Sequence, residues 1–197
     1  MATDSMIRAF IAIDLPEDVS EQIGNILLEL KRDLGERIVR WVPKQNIHLT
    51  LKFLGNVSTT NLVVLENVLS SVVAQHHFFT VQVGGLGAYP KVRSPRVIWI
   101  GVETTPELIA LQGAVDKETD RMGYPSERRP YSAHLTLGRV SRNATLQDVE
   151  RISNFLMEHK NVGVLGSILV RAVHLYRSDL RPDGAVYTRL FTAGLKP

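Results

Sequence analysis

Cysteine is absent from this 197-residue chain, and its absence excludes several kinds of chemistry. The chain has no disulfide bond, no thiolate nucleophile and no zinc site built on cysteine. Long apolar runs are absent too, since none approaches the roughly 20 residues that a membrane-spanning helix needs. Asp14 and Pro16 interrupt the apolar N-terminal run before it reaches the length of a signal-peptide core. We therefore expect a cytoplasmic protein that does not enter a membrane, and the sequence predicts no obligate protein partner.

Two common active-site signatures are also missing. There is no GxSxG sequence, which excludes the serine nucleophile elbow of hydrolases, and no GxxxxGK[ST] loop, which disfavours hydrolysis of nucleoside triphosphates. Apolar residues make up 44% of the chain and charged residues 22%, a balance typical of globular proteins. The formal net charge of +3 is compatible with a polyanionic ligand but does not by itself predict one.

The tetrapeptide His-Leu-Thr-Leu occurs twice, at His48 and at His134, and its surroundings match as well. Each copy follows a strand-like run and a helical stretch that closes on a glycine, Gly35 or Gly123. Each copy is then followed by a second helical stretch and another strand-like run. The preceding segments are IRAFIAIDL with DVSEQIGNILLELKRDLG, and RVIWIGVE with LIALQGAVDKETDRMG; the following ones are STTNLVVLENVLSSVVAQ with FFTVQVGGLGAY, and ATLQDVERISNFLMEH with ILVRAVHLYRS.

This duplication predicts an α+β fold made of two β-α-β-α-β units related by approximate twofold symmetry. We expect one two-lobed catalytic domain over residues 1–197, with sequence repeats at approximately 7–95 and 96–197. The basic, proline-containing segment AYPKVRSPR is the expected seam between them. Two unrelated β-α units would give a similar spacing, but the matched histidines favour a true repeat.

Strand alternation decides which side chains of the repeated motif share a face. His48 and Thr50 point one way while the intervening leucine points the other, and His134 and Thr136 repeat this arrangement. Lys52 extends the polar row of the first strand by the same parity. If the symmetry brings the two faces together, the result is a cleft lined by two histidines and two threonines.

Paired histidines suit acid–base chemistry on a phosphodiester. Near neutral pH one imidazole can accept a proton from water while the other, protonated, donates one to the departing oxygen. Threonine hydroxyls can donate hydrogen bonds to an anionic group. Neither motif carries a nearby Asp or Glu that would complete a set of metal ligands, so we expect no metal and no other cofactor. A single strand histidine is more often structural, but two in the same context favour a shared site.

The paired motifs resemble those of the two-histidine (2H) phosphoesterase superfamily, within it the LigT-like RNA 2′,3′-cyclic phosphodiesterases once called 2′-5′ RNA ligases. The resemblance covers nearly the whole chain in order. Its segments are IRAFIAIDLP, RWVPKQNIHLTLKFLGNV, GGLGAYPKVRSPRVIWIGV, YSAHLTLGRV and LYRSDLRPDGAVYTRL. The family usually has a proline directly before the second histidine, where this chain has Ala133. The resemblance implies mainly antiparallel sheets that flank a central cleft.

By this resemblance, His48 is the proton donor and His134 the proton acceptor. Thr50, Thr136 and Arg139 are the expected phosphate-binding residues. The implied reaction is hydrolysis of an RNA terminal 2′,3′-cyclic phosphate to a 2′-phosphomonoester. The alternatives are a 2H phosphoesterase acting on a small cyclic nucleotide or a 2′-5′ linkage, the joining of RNA ends, and a non-catalytic RNA- or nucleotide-binding module using the same cleft.

Simple alternation turns Arg139 away from the site, because it lies five residues after His134. A bulge or strand end at Gly138 would turn it inward. Other candidate ligand contacts are aromatic residues that could stack on a terminal base and basic residues that could contact the RNA backbone. The aromatic candidates are Phe10, Tyr89 and Tyr131, and the basic ones are Lys91, Arg93, Arg96, Arg128 and Arg129.

Overall fold

The computed structural model describes residues 5–159, 162–182 and 184–197. Its strands are β1 Met6–Ile13, β2 Val39–Trp41, β3 Leu49–Ser58, β4 Phe79–Lys91, β5 Ser94–Val102, β6 His134–Val140, β7 Val164–Val170, β8 Ala172–Arg181 and β9 Gly184–Gly194. Its α-helices are α1 Glu17–Leu34, α2 Leu62–Val73, α3 Pro106–Arg121 and α4 Leu146–Glu158. Short 3-10 turns at Lys44–Asn46 and Thr59–Asn61 precede β3 and α2.

The four α-helices lie at the predicted helical stretches, and α2 begins only at Leu62, after the 3-10 turn Thr59–Asn61. Gly35 and Gly123 adopt positive φ angles of 80° and 92° after α1 and α3, a conformation that favours glycine. The side chain of Thr145 accepts a hydrogen bond from the backbone N–H of Asp148, and the carboxylate of Asp148 accepts one from the N–H of Thr145. This capping box satisfies donors that an uncapped helix would leave unpaired. The predicted helices are therefore confirmed.

The strands form a mainly antiparallel array that is symmetric about its centre. The order is β7-β4-β5-β6-β3-β1-β8-β9, with β2 pairing beside β6. The neighbouring strands in this order are antiparallel. The predicted α+β fold with antiparallel sheets is confirmed.

The array divides at the β3–β6 contact into lobe A with four strands and lobe B with five. Lobe A comprises β3, β1, β8 and β9 with α2 and α3, and lobe B comprises β6, β5, β4, β7 and the short β2 with α1 and α4. Each lobe combines strands from both halves of the chain, because β4 crosses into lobe B and β8 crosses into lobe A. The division of the sequence into repeats at 7–95 and 96–197 stays a prediction.

One detail of the predicted strands is wrong. The run ILVRAVHLYRS is divided at Arg171, because its first part pairs with β4 in lobe B and its second part pairs with β1 in lobe A. The segment AYPKVRSPR forms the β4–β5 hairpin, with Lys91 opposite Ser94, and its place as the seam between the repeats stays a prediction. A register shift beside Pro90 accommodates the prolines, which have no N–H to donate to a neighbouring strand.

The hydrophobic core lies between the strands of each lobe and the helices that pack on them. Both leucines at the lobe junction, Leu49 and Leu135, are fully buried there. Within the described ranges, the helices lack the combination of length and apolar character that crossing a bilayer demands.

Candidate active site

The two repeated motifs meet at the centre of the strand array. Leu49 of β3 pairs with Leu135 of β6 in antiparallel register, and the approximate twofold axis passes between these two residues. His48 and His134 each precede the paired leucine by one residue. Because successive side chains alternate, both imidazoles lie on the face opposite the buried leucines. The junction of the lobes therefore presents both histidines to the same cleft.

The threonines complete this group of four side chains. Extending the register by one residue in each direction sets His48 opposite Thr136. The same extension sets His134 opposite Thr50. All four residues are half-buried, so their polar groups are shielded but accessible. The structure brings these predicted site residues together, and their roles in catalysis stay predictions.

Both imidazoles are anchored in the same way. Nδ1 of His48 lies 2.8 Å from the carbonyl oxygen of Asn46, and Nδ1 of His134 lies 2.8 Å from that of Ser132. A carbonyl oxygen can only accept, so Nδ1 carries the hydrogen in each ring. Nε2 is then the nitrogen left to exchange a proton with a ligand. The backbone thus fixes the tautomer of both histidines.

A bulge follows each motif at the same position. The pairing of β3 with β1 passes over Leu51, and the pairing of β6 with β5 passes over Leu137. These are the second leucines of the two motifs. An extra residue in one strand reverses the face on which the following side chains lie. Simple alternation therefore fails for both strands after the motif.

The bulge at Leu51 turns Lys52 into the core, so the prediction that it extends the polar row is wrong. Lys52 is only 3% exposed and forms an ion pair with Asp116. Its ammonium also donates to the carbonyl oxygen of Pro125 at 3.0 Å. Burial disfavours ionisation of Asp116, but hydrogen bonds from Lys52 and Ser126 and the charge of Lys52 hold the pKa of this carboxyl below its usual value.

The bulge at Leu137 places Arg139 on the histidine face. Arg139 is exposed and lies opposite Val97 of β5. Burial raises the pKa of the Tyr187 phenol, while the charges of Arg139 and Arg8 oppose that rise. Tyr187 lies edge-on to His48, with 5.4 Å between ring centroids. This neighbourhood supports Arg139 as a residue of the site, and its phosphate-binding role stays a prediction.

The imidazole of His48 belongs to a stack of rings in lobe A. Phe10 stacks on His48 with centroids 4.6 Å apart, and Tyr176 stacks on Phe10 at 5.3 Å. Phe10 is only 3% exposed, so it supports the histidine and cannot offer a free ring to a base. The stack restrains the orientation of the His48 ring in addition to its backbone hydrogen bond.

The carboxylate of Asp14 contacts Tyr176, the ring of this stack that lies farthest from His48. Asp14 accepts a hydrogen bond from the Tyr176 hydroxyl at 2.7 Å and forms an ion pair with Arg189. Extending the β1–β3 register one step beyond Ile13 and Leu49 sets Asp14 opposite His48. Burial lowers the pKa of His48, while the hydrogen bond to the backbone and the negative charge of Asp14 act in the opposite direction.

His134 has a different environment in lobe B. Tyr89 lies edge-on to it at 5.0 Å, and the Tyr89 hydroxyl is 2.7 Å from the hydroxyl of Ser132. Gly101, which pairs with His134, occupies the position that corresponds to Asp14. The two imidazoles therefore share a backbone anchor but differ in their neighbouring charges.

The remaining sequence candidates contribute less directly. The Tyr131 hydroxyl donates to the carbonyl oxygen of Thr50 at 3.1 Å, and burial raises the pKa of this phenol. Tyr131 therefore joins its loop to the site strand rather than offering a ring to a base. The five basic candidates are exposed: Lys91, Arg93, Arg96, Arg128 and Arg129.

Sequence reasoning missed Asp14 and Tyr187 beside His48, and Phe53, an exposed ring that lies on the histidine face after the bulge at Leu51. Tyr187 lies in a hairpin that follows the second motif by some fifty residues, and no local signal links it to His48. Phe53 had a signal, because it follows His48 by five residues as Arg139 follows His134. Asp14 ends the first strand, and only the strand pairing reveals its proximity to the histidine.

Comparisons with known proteins agree with this arrangement. The family model described as LigT like Phosphoesterase matches residues 13–99. An RNA 2′,3′-cyclic phosphodiesterase of Methanothermobacter thermautotrophicus is 37% identical over 92% of this chain and 95% of its own length. One of Archaeoglobus fulgidus is 36% identical over 93% of this chain and 98% of its own length.

A solved structure shares the fold at full length. E. coli LigT complexed with 3′-AMP superposes with a TM-score of 0.75 and 28% identity, over 98% of this chain and 100% of that chain. Sequence similarity and fold therefore lead to the same assignment. The chain belongs to the LigT-like phosphoesterase family of enzymes, which includes these RNA 2′,3′-cyclic phosphodiesterases.

Proposed function

We propose that this enzyme hydrolyses the terminal 2′,3′-cyclic phosphate of RNA to a 2′-phosphomonoester without a metal ion. The observation that carries the proposal is the paired anchoring of His48 and His134, each with Nδ1 held by a carbonyl oxygen and Nε2 left for proton transfer. The substrate comes from the relatives, which are named for this activity.

In the proposed reaction, Nε2 of His134 accepts a proton from a water molecule, and the water oxygen attacks phosphorus. The bond between phosphorus and the 3′-oxygen breaks, and Nε2 of protonated His48 donates its proton to that oxygen. The phosphate remains on the 2′-oxygen. Each turnover leaves His48 neutral and His134 protonated, and exchange with solvent restores the starting state.

The other site residues stabilise charge on the phosphate. The hydroxyls of Thr50 and Thr136 would donate to its non-bridging oxygens, because each threonine lies opposite the histidine of the other motif. Arg139 would oppose the negative charge that develops as water attacks. A guanidinium suits this role since it stays protonated and presents several donors.

The environments of the histidines support the assignment of donor and acceptor. Burial holds the pKa of His48 below its usual value, and the negative charge of Asp14 opposes that fall and so favours the protonated form. The corresponding position beside His134 is Gly101, which carries no charge. A pair of titratable groups with different neighbouring charges is the usual basis for dividing acid and base roles.

The donor set supports a metal-free mechanism. Both Nδ1 atoms are engaged with backbone carbonyls, which leaves one nitrogen per ring. In the described part of the chain, no cluster of three or more His, Asp or Glu side chains could hold a cation. The acid–base pair supplies the proton transfers that a metal-bound water would otherwise supply.

The direct test uses an oligoribonucleotide that ends in a 2′,3′-cyclic phosphate, incubated with excess chelator. The wild type and the variants His48→Ala and His134→Ala are compared by phosphorus NMR of the product. We expect a 2′-phosphomonoester from the wild type and no detectable product from either variant over the same time. Loss of wild-type turnover on chelation would contradict the metal-free reaction, and binding without turnover would favour a non-catalytic binding module.

A further inference from the structure

The short strand β2 places a second arginine beside Arg139. Arg40 of β2 lies directly opposite Arg139 of β6 in antiparallel register. Both side chains are exposed, and within the described residues neither guanidinium forms a hydrogen bond or an ion pair. Like charges directly opposite each other in a sheet repel, so this pair opposes folding unless an anion lies beside it. The arrangement therefore indicates a place for a bound anion.

Both arginines lie on the histidine face of the cleft. A Cβ added at Gly138 would lie 2.7 Å from Cγ1 of Val39 and 2.8 Å from Cε3 of Trp41, so these two side chains share the face of Gly138. That face is the core face, because Val39 is buried in the hydrophobic core. Arg40 lies between Val39 and Trp41, and strand alternation turns it to the opposite face. The bulge in β6 places Arg139 on that same face.

The position of β2 is fixed by contacts that do not involve the Arg40 side chain. The backbone N–H of Val42 donates to the carbonyl oxygen of the bulged leucine of β6 at 2.8 Å. The indole N–H of Trp41 donates to the carbonyl oxygen of Gly35, at the end of α1, at 3.0 Å. We therefore expect a substitution at Arg40 to change the charge of the cleft and to leave its backbone in place.

We propose that Arg40 binds the phosphate that joins the terminal nucleotide to the rest of the RNA. This inference rests on the proposed function and deepens it, because it makes an RNA end a better substrate than an isolated cyclic nucleotide. In the proposed reaction His48 protonates the 3′-oxygen. The 3′-carbon of the ribose is bonded to C4′, which carries the 5′-carbon, whereas the 2′-carbon is not. The chain toward the 5′ end therefore leaves the cleft on the side of His48.

Arg139 and Arg40 lie on this side of the cleft. By the extended register His48 is opposite Thr136, and Arg139 lies three residues farther along β6 with Arg40 beside it. Each arginine then has one phosphate: Arg139 faces the cyclic phosphate, and Arg40 faces the internucleotide phosphate. A guanidinium suits this contact because it presents two parallel donors to phosphate oxygens. Contacts of this kind position RNA without reading its sequence, so the preference does not depend on the base.

The kinetic test uses three substrates that end in adenosine 2′,3′-cyclic phosphate. The first carries a 5′ deoxyadenosine joined by a phosphodiester, the second carries the same nucleoside joined by an uncharged methylphosphonate, and the third is the mononucleotide. We expect Arg40→Gln to lower kcat/KM roughly 5- to 20-fold on the first substrate and to leave the other two within about twofold. Arg40→Lys keeps the charge and should retain most of the activity. Arg32→Gln, which removes an exposed arginine of α1, is the matched control.

A binding measurement separates this proposal from the proposed reaction. The probes are the two dinucleotides with a terminal 2′-monophosphate, titrated by calorimetry into the double variant His48→Ala/His134→Ala with and without Arg40→Gln. One phosphate contact on a single strand contributes about 0.7 to the slope of log K against log salt concentration. We expect Arg40→Gln to reduce the slope by about this amount for the phosphodiester probe only, whether or not the wild type hydrolyses RNA ends. Equal losses on the charged and the uncharged linkage, or affinities that do not change with Arg40→Gln, would overturn the proposal.

Discussion

Lobe A and lobe B supply the cleft with the same backbone and with different side chains. Each provides a histidine anchored through Nδ1, a threonine two residues later and a bulge at the second leucine. At corresponding positions the two lobes differ in charge and in aromatic surface. The pairs are Asp14 and Gly101, Phe10 and Val97, and Phe53 and Arg139.

This difference shows how two similar halves of a fold can give their corresponding residues different chemical environments. The shared backbone explains why two imidazoles reach the same cleft, and twofold symmetry alone would make them equivalent. Hydrolysis of an unsymmetrical phosphodiester needs one donor and one acceptor. In the proposed reaction, the unequal neighbours of the two histidines distinguish the donor from the acceptor.

The largest expected effect comes from the histidines themselves. We expect His48→Ala and His134→Ala each to lower kcat by roughly 10²- to 10⁴-fold, because each would remove the proposed general acid or base. A nucleoside p-nitrophenyl phosphodiester, whose leaving group departs without a proton, sharpens the comparison. It should restore turnover to His48→Ala and leave His134→Ala impaired, as measured by single-turnover kinetics. The opposite pattern would exchange the two roles, and circular dichroism checks that both variants fold.

Arg139→Ala is expected to reduce kcat by about 10²-fold with a smaller change in KM, because the guanidinium would act on charge that develops in the transition state. Arg139→Lys should recover only part of the loss, since lysine cannot present two parallel donors. Steady-state kinetics on the cyclic-phosphate oligonucleotide measures both variants. An effect confined to KM would place Arg139 in substrate binding only.

The residue directly after the bulge is Lys52 in β3 and Gly138 in β6, so only β3 places a charged side chain in the core at this position. Lys52→Met removes the buried ammonium, so Asp116 loses its ion pair and keeps the hydrogen bond from Ser126, and the carbonyl oxygen of Pro125 loses this donor. We expect the free energy of unfolding to fall by about 2 kcal/mol, below the loss for a fully buried pair because Asp116 is partly exposed and can be hydrated. Urea denaturation measures this change. An unchanged midpoint would show that the ion pair contributes no net stability.

The smallest expected effect is a shift in the pH profile of kcat/KM caused by Asp14→Asn. Burial lowers the pKa of His48 and the charge of Asp14 opposes this, so removing that charge lowers the pKa further. The proton donor must be protonated, so the high-pH limb of kcat/KM should move to lower pH while the low-pH limb stays. NMR titration of the His48 ring measures the pKa directly, with Asp33→Asn at the end of α1 as the control.

The reciprocal variant, which would introduce a carboxylate at Gly101 in lobe B, would alter the backbone as well as the charge. A Cβ added at Gly101 would lie 2.8 Å from the carbonyl oxygen of Gly84, closer than real Cβ contacts allow. Any carboxylate introduced there would displace β4. The decisive measurement is therefore the pKa of His48 in Asp14→Asn. An unchanged pKa would show that Asp14 does not distinguish the two histidines.

Much of this arrangement could be predicted from local sequence rules. Helical periodicity and capping residues predicted the four helices, and strand alternation placed each histidine beside a threonine and opposite a leucine. Alternation failed after the motifs because the bulges at Leu51 and Leu137 reverse it. Lys52 was therefore assigned to the wrong face, whereas the reversal required for Arg139 was foreseen as a bulge near Gly138.

The rest depends on contacts between residues distant in the chain. No local pattern reveals that the chain passes from lobe B to lobe A between β7 and β8, where β8 pairs with β1. Nor does a local pattern reveal that the hairpin of β8 and β9 brings Tyr187 to His48. Phe53 could have been found by comparing positions five residues after each histidine. Asp14 could not, because its role follows from strand pairing rather than from spacing.

The exchange of strands between lobes also determines when during synthesis the cleft can form. His48 and His134 are both made before β8 and β9, yet these two strands form half of lobe A. Asn46, whose backbone anchors His48, also donates a hydrogen bond from its side chain to the carbonyl oxygen of Ala185 in β9, at 2.7 Å. A nascent chain that already contains both motifs therefore still lacks one wall of the cleft. Because β8 and β9 supply two of the four strands of lobe A, the cleft is complete only after these strands have been made and have docked.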